Sequence, residues 1–217
     1  MPLTLYAHPF SSYCQKVLVA LYENDLPFEY RTLEDPSAMA ELKARWPFGR
    51  FPILVDDGRT VVESTIIIEH LMLAHGGRTR WLPGDPRQAL EVRFLDRFFD
   101  NDVMTAMQKP VFAALKQDKP RTDEAMTEAR RALELAYGWL EQRLQGRTWA
   151  AGETLSLADC AAAPSLFYAD WVHPIADAYP TLRGYRSRLL AWPAFARAVD
   201  EARPFRNYFP LGAPDRD

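Results

Sequence analysis

The chain has 217 residues, 48% of them apolar, with a net charge of −3 from well-mixed acids and bases. That suits one large domain or two small ones with a substantial core, and excludes a basic face for nucleic acid. Two cysteines far apart, Cys14 and Cys160, make no disulfide framework and point to a reducing, cytoplasmic setting. Met1-Pro2-Leu3 leads straight into a strand pattern without a signal peptide's basic segment and apolar core. No apolar run reaches the length of a membrane span.

Leu3–Ala7 reads as a first strand, and the run from Gln15 to Leu21 as the body of a helix. Phe28–Leu33 reads as a second strand and Ala38–Ala44 as a short helix. Pro52–Asp56 and Thr60–Glu63 are short apolar runs joined by Asp57-Gly58-Arg59, a strong hairpin signal. From Ser64 a helix is predicted, ending at Gly76-Gly77. The order β-α-β-α-β-β-α describes a thioredoxin-like α/β domain over residues 1–76. Residues 77–88 read as a linker, and 89–217 as an all-α helical domain. Asp85-Pro86 marks a helix start, with Asp as cap and Pro at the first helical position. Leu90, Phe94, Leu95, Phe98 and Phe99 are expected on one broad face, and Pro110 to bend or end the helix it falls in. Thr122–Leu144 reads as another helix, closed by Gly146, and Pro180 and Pro193 as first residues of two more.

Ser11-Ser12-Tyr13-Cys14 stands where the first strand passes to a helix. Unsatisfied N–H groups and the helix dipole favour an anion there, and a hydroxyl can donate to it. The segment is a Cys-x-x-Cys motif with its first Cys replaced by Ser. That suits holding another molecule's thiolate better than forming a disulfide. A serine at this point can also be a plain helix cap. The histidines, His8, His70, His75 and His173, show no metal spacing. His70 and His75, five apart, are expected on different sides of a helix, so no metal ligand is predicted.

Three further stretches follow: Trp46-Pro47-Phe48-Gly49-Arg50-Phe51-Pro52-Ile53-Leu54, Glu63-Ser64-x-x-Ile67 and Leu155-Ser156-Leu157-Ala158-Asp159-Cys160. In this order, with the Ser-x-x-Cys segment before them and a helical second half after, the set resembles the cytosolic glutathione transferases. The serine-type members, theta-like and zeta-like, are the most similar. The resemblance runs from about Leu3 to about Phe205. It implies a glutathione transferase fold with glutathione as co-substrate. It implies that Pro52 is cis, so that the backbone of Phe51 faces the cysteinyl part of glutathione. Ser64 would meet the γ-glutamyl carboxylate through helix N–H groups, and Glu63 would orient the neighbouring ammonium or the Pro52 loop. Arg50 and Ser12 complete the expected binding set.

Ser11 is the expected activating residue, with Ser12 one place away as the alternative. Tyr6 lies too early in the first strand for a tyrosine-type site. Cys14 reads as a packed thiol or a redox group. The zeta pattern places Cys where this chain has Tyr13, a departure from the isomerase members. Ser156 and Asp159 have capping-box spacing and a folding role, with Cys160 a small core residue. The implied reaction is detoxifying transfer of the glutathione thiolate to a small, hydrophobic electrophile. Its lining is expected from Asp102, Met104, Met107 and Gln108, with Phe112, Phe167, Trp171, Tyr208 and Phe209 as further candidates. A glutathione-dependent thiol reductase or isomerase, or a non-catalytic glutathione-binding regulatory protein, are the alternatives. The family also implies a homodimer built on the Thr65–His75 and Leu90–Phe99 helices.

Overall fold

The computed structural model describes residues 3–217. Met1 and Pro2, the expected lead into the first strand, lie outside them. The first part runs β1 (Leu3–Ala7), α1 (Ser12–Glu23), β2 (Phe28–Thr32), α2 (Pro36–Arg45), β3 (Ile53–Asp56), β4 (Arg59–Val62) and α3 (Ser64–Ala74). The sheet order is β2-β1-β3-β4. β1 pairs parallel with β2 and antiparallel with β3, and β3 pairs antiparallel with β4. Asp57 (φ 47°) and Gly58 (φ 80°) both take positive φ, which closes the β3–β4 hairpin as the Asp-Gly pair predicts. α2 begins two residues before the expected Ala38, because Asp35 caps it through Ser37 N and Pro36 opens it.

The second part is helical throughout its described elements: α4 (Pro86–Phe98), a π-helical stretch (Phe99–Met104), α5 (Thr105–Leu115), α6 (Lys119–Arg143), α7 (Leu157–Val172), α8 (Pro180–Ala191) and α9 (Pro193–Ala202), then a 3-10 turn (Arg203–Tyr208). Asp85 caps α4 through Gln88 N, as its Asp-Pro start predicts. None of the described helices is long and apolar enough to cross a membrane. The chain thus forms an α/β sheet domain followed by an all-α domain. One large apolar cluster joins the two, from Leu5, Val17 and Leu18 to Phe99, Leu133, Leu166 and Phe195. A smaller one, with Tyr6, Leu42 and Ile53, fills the space between the sheet and α2.

α7 is fully buried along most of its length. Its start is fixed by Asp159, whose Oδ2 accepts from both the N–H and the hydroxyl of Ser156 at 2.9 Å. Asp159 Oδ1 accepts from Ala150 N and Tyr185 OH. Cys160 is core, as expected.

One expectation narrows and two need correction. Of the two outcomes expected at Pro110, a bend or an end, the end is excluded: α5 passes through it to Leu115, with Ala106, Met107, Pro110 and Ala113 buried. The apolar face of α4 divides. Leu95 and Phe99 are buried, whereas Leu90 and Phe94 are exposed with Ile66 and Leu73 of α3. His70 and His75 do not point apart. His75 caps α3, its N–H still bonded to Leu71 O, and both imidazoles reach Asp56 at the end of β3.

Candidate functional site

Tyr13 in the first turn of α1, the loop before β3 and the β4–α3 junction open onto one cavity of about 760 Å³. Arg50, Phe51, Pro52, Glu63 and Ser64 line it together, so the structure gathers five of the residues singled out by sequence. The Phe51–Pro52 bond is cis. From α4 and the π stretch come Asp96, Arg97, Asp100 and Asn101.

Glu63 is the N-cap position of α3, yet its side chain caps nothing. Its φ of 68° is rare outside glycine and costs roughly 1–3 kcal/mol. Ser64, Thr65 and Ile66 of the first turn of α3 line the cavity beside it, and the Glu63 carboxylate stands 4.0 Å from Arg50. Uncapped N–H groups at a positive helix end accept a carboxylate, and a neighbouring acid accepts an ammonium. The pair suits a zwitterionic amino-acid end.

Below the cavity floor, Lys16 from α1 bonds Asp100 Oδ2 at 2.8 Å and Thr65 Oγ1 at 2.9 Å. Thr65 in turn donates to Asp96 Oδ2 at 2.9 Å. Arg97 reaches Asp96, Asp100 and Thr65 from the solvent side. Burial pushes the Asp100 carboxyl upward, against the pull of Lys16. Sequence reading missed this network. Its one signal was Lys16 itself, a cation inside the apolar run Cys14–Leu21.

Ser11 caps α1 and accepts from Cys14 N at 3.5 Å. Ser12 opens the helix and is buried. Neither is among the residues lining the cavity. The adjacent side chain that lines it is Tyr13, whose phenol is pushed up to about 12, chiefly by burial and then by Asp100. Tyr13 therefore stays a neutral hydroxyl. Cys14 is fully buried, and burial pushes its thiol up to about 12 against the opposing bonds from Ser11 and His8. Such a thiol is inert. Tyr6 turns to the other side of the sheet and donates to Glu41 at 2.7 Å.

The loop before α1 is pinned by the second domain. Tyr168 OH donates to Phe10 O at 2.8 Å, and Gln15 Nε2 donates to Pro9 O and Tyr168 OH.

The expected electrophile lining is not assembled as drawn. Met104, Met107, Phe167 and Phe209 are core, Trp171 packs against it, and Phe112 is exposed on the far side of α5. Asp102 and Gln108 are likewise not among the residues lining the cavity, and Tyr208 bonds Glu34 instead. The wider turns of the π stretch carry Asp100 and Asn101 to the cavity and the methionines inward.

Residues 5–79 match the family model described as "Glutathione S-transferase, N-terminal domain", and residues 99–193 the one described as "Glutathione S-transferase, C-terminal domain". The chain is 33% identical over 181 residues to "FtsZ-localized protein A" of Caulobacter vibrioides, covering 77% of each. It is 26% identical over 207 residues to a "Probable maleylacetoacetate isomerase" of Caenorhabditis elegans, covering 92% of this chain and 94% of that one. A solved glutathione S-transferase from Sinorhizobium meliloti superposes with a TM-score of 0.76 at 26% identity, over 92% of this chain and 93% of that one.

Proposed function

The chain belongs to the cytosolic glutathione S-transferase superfamily, whose members use glutathione as co-substrate, and from that premise we propose that it transfers the glutathione thiolate to a small electrophile. The observation that carries this reading is the shared cavity of Phe51, Pro52, Glu63 and Ser64. The uncapped N-terminus of α3 takes the γ-glutamyl carboxylate, and Glu63 faces the ammonium. The backbone of Phe51 pairs with the cysteinyl unit as a short strand would. The thiol then falls near the N-terminus of α1, where Ser11 is the activating hydroxyl and Ser12 its alternative. A free thiol has a pKa near 8.5. Lowering it by ~2 units, roughly 2.7 kcal/mol, makes most bound glutathione nucleophilic at neutral pH. Held beside an electrophilic carbon, the sulfur forms the new bond and the leaving group or the conjugate's carbanion takes up the electron pair. With Cys14 inert and Ser11 in place of a cysteine, thiol–disulfide reduction is disfavoured.

A second reading is a glutathione-binding protein without turnover. Two observations favour it: Ser11 and Ser12 stand back from the cavity, and a relative at 33% identity carries a localisation name rather than an activity. Retention on immobilised glutathione, followed by assay against aryl halides, epoxides and enones, separates the two. Retention with conjugation supports the transferase. Retention without turnover on any of them supports the binding protein, and no retention removes both.

A further inference from the structure

At the other end of the first domain, β3 ends at Asp56 and α3 ends beside His75. Asp56 Oδ2 lies 2.8 Å from His70 Nε2 and 2.8 Å from His75 Nε2. The two rings are 6.3 Å apart and inclined by 72°, so they approach the carboxylate from different directions. The candidate ligand atoms all lie within 4.8 Å of one another. We propose that Asp56, His70 and His75 form a binding site for one divalent transition-metal ion of the zinc class.

Two imidazoles and one carboxylate are a donor set that borderline divalent cations prefer. Bonds of ~2.0–2.2 Å put tetrahedral ligand atoms about 3.4 Å apart, so each Asp56–imidazole distance must open by roughly 0.6 Å. Side-chain rotation supplies that. The backbones are fixed: Asp56 by its pairing with Arg59 in the hairpin, and His70 by the buried Ile67, Ile68 and Leu71 of its own helix. The side chains remain 14%, 17% and 32% exposed, which leaves an entry path and room for a water as fourth ligand. An ion here would tie the hairpin to the end of α3. None of Asp56, His70 and His75 is among the residues lining the candidate glutathione cavity, whose α3 lining ends at Glu69.

His8 and His173 each face a single carboxylate, Glu34 and Glu134, without a second imidazole. They serve as internal controls. The test is calorimetric titration of untagged protein with Zn²⁺, repeated with Co²⁺ while following visible absorbance. One equivalent per chain is expected, with affinity at least tenfold weaker in each of His70→Ala, His75→Ala and Asp56→Asn. His8→Ala and His173→Ala should bind as the parent chain does. His75→Ala, at the exposed end of α3, keeps the test open should Asp56→Asn not fold. Zn²⁺ should also raise the melting temperature of the parent chain and not of His75→Ala. Absence of stoichiometric binding, or binding that survives all three substitutions, overturns the proposal and leaves two ordinary imidazole–carboxylate hydrogen bonds.

Discussion

Lys16 Nζ in α1 lies 2.6 Å from Asp96 Oδ1 in α4, and both side chains are 1% exposed. The contact crosses from the sheet domain to the helical domain beneath the candidate cavity. Asp100 and Arg97 complete a neutral set of two cations and two anions. Replacing the ammonium with an apolar group leaves two buried carboxylates to the half-exposed Arg97 alone. Breaking one side of a buried pair costs about 3–5 kcal/mol. Lys16→Met should therefore lower the urea-unfolding free energy by that much, and a loss below about 1 kcal/mol contradicts this account.

Glu63 joins backbone strain to ligand contact. Glu63→Gly relieves the positive φ, so stability should rise by ~1 kcal/mol while the KM for glutathione increases. Glu63→Ala and Ser64→Ala should also raise that KM with kcat little changed, because the proposed pose sets them at the γ-glutamyl end, away from the sulfur. A fall in kcat at constant KM would place the ligand elsewhere.

Ser11→Ala should raise the pKa of bound glutathione and slow conjugation about 10- to 100-fold at neutral pH, the value of one hydrogen bond to a charged group. Much of the rate should return at high pH. Thiolate absorbance titrated in Ser11→Ala, Ser12→Ala and Cys14→Ala assigns the role. A raised midpoint only in Ser12→Ala moves it one residue along, and loss of activity only in Cys14→Ala points to thiol exchange.

Burial pushes the Cys14 thiol up to about 12 in the folded chain, from about 9 for an ordinary thiol. Between these values the unfolded chain gives up a proton that the folded one keeps. The stability present below pH 9 should thus fall as pH rises towards 12. Cys14→Ala should show a shallower alkaline loss, read from urea midpoints at pH 8, 9 and 10. Parallel slopes in the two proteins would remove Cys14 as the cause.

Ile66 and Leu73 of α3 and Leu90 and Phe94 of α4 expose apolar side chains on the adjoining helices. Covering that patch in a non-covalent homodimer is expected. Light scattering at micromolar concentration should give about twice the 24.9 kDa chain mass, with or without reductant. A clean monomer rules it out.

The turns and caps were legible because their chemistry is local. Asp57-Gly58, Asp85-Pro86 and the Ser156–Asp159 pair each announce a backbone geometry within four residues. The Phe51-Pro52 and Glu63-Ser64 segments were legible through family resemblance, and they line one cavity. Lys16 was not legible, since its partners lie 80 and 84 residues away and its own surroundings in sequence are those of a core helix. His70 and His75 escaped for a related reason. Their shared partner, Asp56, lies on β3, and spacing along one helix does not show that two of its side chains meet one group on a neighbouring strand. That Tyr13, rather than Ser11 or Ser12, lines the cavity depends on side-chain direction within one helical turn, finer than any sequence pattern.

The bonds from Tyr168 to Phe10 and from Gln15 to Tyr168 give the second domain a hold on the loop where the thiol is expected. The two halves are therefore not interchangeable parts. A chimera joining this sheet domain to another relative's helical domain should inherit a displaced thiol loop wherever the tyrosine is missing, even with every glutathione-facing residue retained. Diversification of substrate choice through the helical half is thereby tethered to the chemistry of the other.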